Sequence, residues 1–198
     1  PASLYGGIAG LDRIDVDLDA FLAKHTDIPI IRTEDDGCNM ISGMLGHVDG
    51  CGMVCGTGSS LSIIIGSDPI RQVGGLGYLI DTGGSGYELG QAGLKEACRY
   101  LDGRGEYTVL ADLITKALGK KPWDSLANIY AGGRSYIASF AHTVFEGMEM
   151  GDAVCSRIVE ESAYKLSELT FAAEKYFPGE FPVVMSGGIF RAYPKYVQ

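Results

Sequence analysis

Three consecutive acids, Glu34, Asp35 and Asp36, follow the apolar segment "IPII" and precede Gly37. An apolar run of this length predicts a short buried strand. Adjacent carboxylates repel one another and resist burial, so they require solvent or a cation beside them. In open α/β sheets, ligands bind outside the carboxyl ends of the strands, which makes the three acids candidates for a ligand site. The alternative is that they cap a helix that begins near Gly37.

A glycine-rich loop is the second candidate. The segment "CGTGSS", residues 55 to 60, lies between two predicted strands, so its amides and the hydroxyls of Thr57, Ser59 and Ser60 form the tip of a hairpin. Successive amide donors in such a turn make a binding site for a phosphate. A GTGS tetrapeptide is weak evidence alone, because it also occurs in ordinary hairpins. The chain lacks a Walker A sequence and a dinucleotide fingerprint, which disfavours P-loop and Rossmann enzymes.

The cysteines and histidines do not have the spacing of a metal site. The five cysteines form no CxxC pair, so reduced thiols are expected. Cys51 and Cys55 would share one face of a strand, where buried small hydrophobic side chains are favoured over metal ligands. His25, His47 and His142 belong to separate elements, which favours packing or surface roles and no metal site.

Composition excludes several classes of protein. The chain has 198 residues, of which 46% are hydrophobic and 21% charged, as expected for a globular protein. A formal net charge of -9 and the absence of basic clusters argue against nucleic acid as a partner. The apolar runs are too short to span a bilayer, so a cytoplasmic protein without membrane contact is expected. Many of the 29 glycines lie between residues 43 and 93, where they let the backbone turn tightly or approach a ligand.

Hydrophobic periodicity predicts an α/β protein. Residues 14 to 22 and the segment "MISGMLGHV" favour short helices on either side of the strand "IPII". Later helices are predicted from Ser85 or Tyr87, over 107–119 and 124–146 with a break at "AGGRS", and between 151 and 176. "FPVVMSGGIF" predicts a buried parallel strand, which normally precedes a crossover helix. Because the chain stops soon afterwards and opens on glycines with no strand before them, we expect a fragment of a longer protein.

The order of these motifs resembles the superfamily of sugar kinases, Hsp70 and actin. Within it, the sequence is most similar to the BadF/BadG/BcrA/BcrD ATPase family, which includes the N-acetylglucosamine kinases. The matching segments are "GIAGLD" (7–12), "EDDGCNMISG" (34–43), "CGTGSS" (55–60), "GGLGYL" (74–79), "GGSGYELG" (83–90) and "VVMSGGIF" (183–190). Ordered motifs over nearly the whole chain are more specific than any single one.

The resemblance implies ribonuclease H-like (actin-like ATPase) domains with ATP and the acceptor in the cleft between them. On this basis residues 1–47 are the C-terminal part of the first domain, and residues 48–198 are most of the second. The family's first phosphate loop would precede Pro1, so the fragment itself is expected to be inactive.

The resemblance also implies a reaction, namely ATP-dependent phosphoryl transfer to a hydroxyl of a sugar or amino sugar. Asp36 is expected to be the catalytic base, and Mg²⁺ would bridge phosphate oxygens. Phosphate contacts are expected from Gly56, Thr57, Gly58 and Ser59, adenosine contacts from Gly187 and Gly188, and acceptor contacts from Asp35, Gly75, Asp81, Thr82 and Glu88. For Glu88 the alternative is a helix N-terminal acid without a ligand.

Two departures put N-acetylglucosamine itself in doubt as the acceptor. Thr82 stands where the kinases have an acid in Gly-Asp-Glu-Gly-Ser, and Leu76 replaces the usual tryptophan of "GGWG". Two other functions stay open: an ATPase activator of an acyl-CoA dehydratase, with an iron-sulfur cluster shared across a dimer, and a non-catalytic sugar-sensing domain. The expected partner is a small hydroxyl compound, and a homodimer is an open option.

Overall fold

The fold is that of a computed structural model, which describes residues 2–8, 11, 15–34, 41, 43, 46, 48–66, 68 and 70–197. Asp35 and Asp36 lie outside the described residues, as does most of the short helix predicted at "MISGMLGHV". Their predicted roles therefore stay predictions from sequence.

The N-terminal part is a β-α-β unit. Strand β1 (Ser3–Gly7) pairs in parallel with β2 (Ile30–Glu34), and helix α1 (Leu18–Ala23) connects them. The Asp19 carboxylate accepts hydrogen bonds from the backbone N–H and the hydroxyl of Thr33, both at 2.6 Å, and so ties α1 to β2. The strand includes Glu34, so our prediction that all three acids follow the strand was wrong for the first of them.

A second sheet has the strand order β5-β4-β3-β6. Its strands are β3 (Gly50–Cys55), β4 (Ser59–Ile64), β5 (Arg71–Gly74) and β6 (Val183–Ser186). β3 and β4 form the predicted antiparallel hairpin, with Cys55 opposite Ser59. β6 runs parallel to β3, as the apolar run before Gly187 predicted. Among the described residues, no strand of this sheet pairs with β1 or β2.

Most of the chain between β5 and β6 is helical, and a further short helix follows β6. They are α2 (Gly86–Leu101), α3 (Leu110–Leu118), α4 (Leu126–Ser139), α5 (Ala141–Glu149), α6 (Ala153–Glu174) and α7 (Gly188–Ala192), with 3₁₀ turns at Pro122–Ser125 and Pro194–Val197. Ser85 and Asp152 cap α2 and α6, where the sequence predicted helix starts. The helix predicted over 124–146 is two helices that meet at Phe140, and the break predicted at "AGGRS" is confirmed by the non-helical φ and ψ of Gly133.

The core lies between the second sheet and the helices. Helix α6 packs on β4 and β5, and α2 packs against α3, α4, α5 and α6. Alternate residues of β3 and β4 contribute to this core, as expected from the two-residue period of a strand. The fully or nearly fully buried side chains include Cys51, Met53, Cys55, Leu61, Ile63, Leu89, Val144, Phe145 and Leu166. This packing holds the hairpin tip of β3 and β4 beside the start of α2.

Candidate functional site

The loop between β3 and β4 is fixed on the N-terminus of α2. Within the loop, the Gly56 N–H donates to the Gly58 carbonyl oxygen at 2.9 Å. The Gly56 and Thr57 carbonyl oxygens accept from the N–H groups of Gly86 and Tyr87, at 2.8 and 3.1 Å. The first turn of a helix has N–H groups without helical partners, so these two bonds satisfy both elements at once.

Two donors of the loop have no acceptor within the described part of the chain. These are the backbone N–H groups of Thr57 and Gly58, whereas the Gly56 N–H is already engaged. A Cβ atom at Gly56 or Gly58 would meet nothing within 4 Å, and neither glycine has a positive φ. Packing and backbone conformation therefore do not require glycine at either position. The open surface and free donors suit an anion, with Thr57 and Gly58 as its donors.

Ser59 connects the loop to the turn before α2. Its hydroxyl donates to the carbonyl oxygens of Gly83 and Thr82, at 2.8 and 3.2 Å. Ser85 then caps α2, because its hydroxyl accepts from the Glu88 N–H at 3.4 Å. The positive end of the helix dipole consequently lies beside the loop.

A cavity of about 70 Å³ lies against this loop. Its lining residues are Thr57, Gly58, Ser59, Gly75, Gly77, Tyr78, Asp81, Ser85 and Arg134. Pockets for whole ligands measure roughly 300–1,000 Å³, so this cavity has room for a phosphate-sized group only. It brings together several residues predicted to bind phosphate and acceptor, but Thr82, Glu88, Gly187 and Gly188 do not line it.

Asp81 is the negatively charged residue among the described residues that line this cavity. Its carboxylate is half-buried and accepts no hydrogen bond from any residue that the structure describes. Buried polar groups in proteins are nearly always paired, so a partly buried carboxylate without a donor points to a ligand or water. The predicted acceptor-binding role of Asp81 is compatible with this geometry.

Glu88 is committed to protein contacts. Its buried carboxylate accepts from the Gly84 N–H at 2.7 Å and from the Thr82 hydroxyl at 3.3 Å, and it forms an ion pair with Lys165 of α6. Glu88 in turn raises the pKa of Lys165. This arrangement supports the alternative of a helix N-terminal acid, because both carboxylate oxygens are used inside the protein.

The two glycines after β6, Gly187 and Gly188, differ in the space that surrounds them. Gly187 has φ 124°, and a Cβ there would overlap the Cys55 carbonyl oxygen. Only glycine fits where β6 and β3 end so close together. Gly188 has nothing within 4 Å of a Cβ position, so it alone of the pair has an open side. Adenosine contacts by either residue stay a prediction.

The buried cysteines are protonated thiols. Burial raises the pKa of Cys51 to about 11 and that of Cys55 to about 12. The Cys55 thiol also donates to the Gly84 carbonyl oxygen at 3.6 Å. Both side chains are fully buried in the core, which favours the role of small hydrophobic side chains over that of cluster ligands. Within the described residues, no group of three His, Cys, Asp or Glu side chains is placed to hold a metal.

Sequence reasoning missed Arg134, Tyr78 and Lys165. Lys165 is 77 residues from Glu88, and no local pattern connects them. Arg134 had a signal, because it follows the glycine pair of "AGGRS" that was predicted to break the helix. In the described part of the chain, no helix combines the length and hydropathy that a bilayer span needs.

Comparison with known proteins agrees with this fold. The model of the BadF/BadG/BcrA/BcrD ATPase family matches residues 7–198. The N-acetylmuramic acid/N-acetylglucosamine kinase of Clostridium acetobutylicum is 33% identical over 129 residues, which are 64% of this chain and 42% of that protein. The chain therefore aligns with less than half the length of this curated relative.

Two solved structures, both assigned as N-acetylglucosamine kinases, share the fold. That from Chromobacterium violaceum superposes with a TM-score of 0.81 at 21% identity, over 100% of this chain and 70% of that one. That from Porphyromonas gingivalis gives a TM-score of 0.73 at 18% identity, over 98% and 66%. The chain belongs to the BadF/BadG/BcrA/BcrD ATPase family and has its actin-like ATPase fold.

Proposed function

We propose that the protein catalyses ATP-dependent phosphoryl transfer to a hydroxyl group of a sugar or amino sugar. The observation that carries this proposal is the pair of free N–H donors at Thr57 and Gly58, on a loop fixed to the start of α2. Kinases need donors of this kind to position a phosphoryl group and stabilise its charge. Membership of an ATPase family supports ATP as the source of that group.

Backbone amides at the loop suit the phosphates of ATP, and a carboxylate in the cavity suits Mg²⁺. The Thr57 and Gly58 amides would hold phosphate oxygens, with the α2 dipole favouring the negative charge. Bound Mg²⁺ would neutralise charge on the phosphates as the transferred group moves. Mg²⁺ usually takes one or two carboxylates and keeps several waters, so the unpaired Asp81 suffices as a nearby protein oxygen donor.

Asp36 is proposed as the general base. It would take the proton of the acceptor hydroxyl as that oxygen forms its bond to phosphorus, while the bond from phosphorus to the ADP oxygen breaks. Asp35 would orient the same hydroxyl. The support for both roles is the spacing of "EDDGCNMISG" in the sequence.

The acceptor is proposed from the name of a relative. A kinase of N-acetylmuramic acid and N-acetylglucosamine is 33% identical to this chain, which supports an amino sugar or a related compound. Gly75 and Asp81, two of the residues predicted to contact the acceptor, line the cavity beside the loop. The Thr82 hydroxyl donates to the Glu88 carboxylate, and Leu76 is 62% exposed, so neither residue supplies the acid or the aromatic wall that the kinases have at these positions.

The proposed domain division places residues 1–47 in the first actin-like domain and 48–198 in the second. The two separate sheets support it, because β1 and β2 precede residue 47 and the strands β3 to β6 follow it. In this family fold, the acids at 35 and 36 and the Thr57–Gly58 loop would then face one cleft.

The test is sugar-dependent ADP formation by the full-length protein. With ATP and Mg²⁺, a panel of sugars and amino sugars should contain at least one compound that stimulates ADP release in a coupled assay. Gly58→Val should lower ATP affinity without unfolding the protein, because its new side chain enters open space at the loop. Gly179→Val is the matched control, since Gly179 also has no neighbour within 4 Å of a Cβ and lies outside the site.

Two outcomes would overturn the proposal. ATP binding that Gly58→Val leaves unchanged would show that the loop is not the phosphate site. ATP binding without phosphorylation of any hydroxyl compound would favour the non-catalytic sensing function instead.

A further inference from the structure

Nine described residues line the cavity at the Thr57–Gly58 loop, and among them Arg134 is the only positively charged one. The other charged residue there is Asp81, and the remaining lining residues are glycine or carry hydroxyl groups. A phosphate group at the loop would therefore meet one carboxylate, two amides and one guanidinium. When no metal ion is bound, the guanidinium is the positive charge among these described residues that offsets the carboxylate.

The backbone of α4 places Arg134 at this cavity. Gly133 has φ 61° and ψ -156°, which interrupts the helix immediately before Arg134. Beyond the interruption, the second half of α4 packs closely on α2, where a Cβ at Gly90 would overlap the Ile137 carbonyl oxygen. The interruption thus allows one helix to present Arg134 to the loop and also to lie against α2.

Two aromatic rings connect Arg134 to the loop. The guanidinium carbon lies 6.0 Å from the centre of the Tyr78 ring, at the outer limit of a cation–π contact. Tyr78 packs edge-on against Tyr87, with ring centres 5.2 Å apart, and the Tyr87 N–H donates to the Thr57 carbonyl oxygen. A contact at this limit is weak, so Arg134 can exchange it for a stronger one with a ligand.

Among the described residues, Arg134 has no partner that would compete with a ligand. Its side chain is exposed and forms no ion pair or hydrogen bond with any residue that the structure describes. Arginine binds phosphate through two parallel N–H donors, a geometry that lysine does not reproduce. A free arginine beside two free backbone donors matches the oxygens of a phosphate group.

We infer that Arg134 binds the phosphate chain of the nucleotide at the Thr57–Gly58 loop and so sets the affinity of this site for polyphosphate. Tyr78 positions the guanidinium in the absence of ligand, and the Gly133 interruption directs it to the cavity. The inference rests on the proposed function in one respect only, namely that the bound polyphosphate belongs to ATP.

The test compares ATP, adenosine and inorganic tripolyphosphate as ligands of the full-length protein by calorimetry. Arg134→Met should weaken ATP and tripolyphosphate by about 10- to 100-fold, the usual worth of a charged hydrogen bond, and leave adenosine affinity unchanged. Arg134→Lys should recover only part of the loss. Arg104→Met is the matched control, because Arg104 is an exposed arginine that pairs with Asp102 away from the site.

A purely structural role predicts a different pattern. If Arg134 only braces the loop through its contact with Tyr78, then Tyr78→Leu and Arg134→Met should cause equal losses, and adenosine should weaken together with ATP. Either result would overturn the inference. So would unchanged binding of ATP and tripolyphosphate by Arg134→Met, which would leave the proposed function standing.

The remaining outcomes separate the inference from the proposed function. Arg134-dependent binding of tripolyphosphate by a protein that does not bind ATP would support the inference and refute the kinase proposal. A wild-type protein that binds neither compound would refute both.

Discussion

Replacing Glu88 tests whether hydrogen bonds or charge hold the turn before α2 in place. Glu88→Ala removes the acceptor of the Gly84 N–H, the partner of Lys165 and an acid from the first turn of α2. The Glu88 side chain is 11% exposed and that of Lys165 is 49% exposed. After the change, water can reach the lysine but hardly the Gly84 N–H, which is buried.

The magnitudes favour the hydrogen bond. A buried N–H left without an acceptor costs about 1–3 kcal/mol, and a first-turn acid contributes about 0.3–1 kcal/mol through the helix dipole. An ion pair with a half-exposed lysine adds about 0–1 kcal/mol. Glu88→Ala should therefore lower the free energy of unfolding by about 1–5 kcal/mol, mostly through the lost hydrogen bond. Glu88→Gln keeps the acceptor and should cost only about 1 kcal/mol.

Lys165→Met separates the two explanations. Because the carboxylate keeps the donors Gly84 and Thr82, we expect a loss of about 1 kcal/mol or less. Urea unfolding followed by circular dichroism gives the comparison, with Lys116→Met on the exposed face of α3 as the control. If Lys165→Met cost as much as Glu88→Ala, charge neutralisation would be the dominant effect, since breaking a buried ion pair costs about 3–5 kcal/mol.

Three further predictions concern acid stability, the acceptor and the base. Burial opposes ionisation of Asp152, but hydrogen bonds from the Cys155 and Val109 N–H groups hold its pKa below the ordinary value of 3.8. Its stabilisation is therefore present above pH 3.8 and lost as pH falls through the lower folded value. Urea unfolding measures the difference in the free energy of unfolding between wild type and Asp152→Ala. This difference should become smaller below pH 3.8. A difference that does not change with pH would contradict the lowered pKa of Asp152.

In the coupled ADP assay, N-acetylglucosamine should be a poorer acceptor than another hydroxyl compound, since Thr82 and Leu76 replace the acid and the aromatic wall; a strong preference for it would be contrary evidence. Asp36→Asn should cut transfer by roughly two to four orders of magnitude with ATP binding unchanged, whereas Glu34→Gln should do little. If Glu34→Gln were the inactive variant, the wrong acid would have been assigned as the base.

Local patterns predicted most of the elements around the site. The start of α2 at Gly86 and of α6 at Ala153 followed from Ser85 and Asp152, because a capping side chain satisfies N–H groups only two or three residues away. The hairpin of β3 and β4 followed from two short, mostly apolar runs on either side of "GTGSS". The family followed from the order of such motifs, which the matched residues 7–198 confirm.

The sequence by itself determined where the elements begin and which loops are rich in glycine, since those properties depend on neighbours within a few residues. Only the tertiary structure decided which groups of these loops are paired, which are free and which residues lie beside them. It pairs Glu88 with Lys165, places Gly187 against Cys55, leaves the Thr57 and Gly58 amides free and directs Arg134 to the same cavity. These features involve residues that are far apart in the chain. The packing of α2, α4 and α6 brings them together, because these helices bury apolar side chains. An apolar pattern in the sequence does not specify which polar residues will become neighbours.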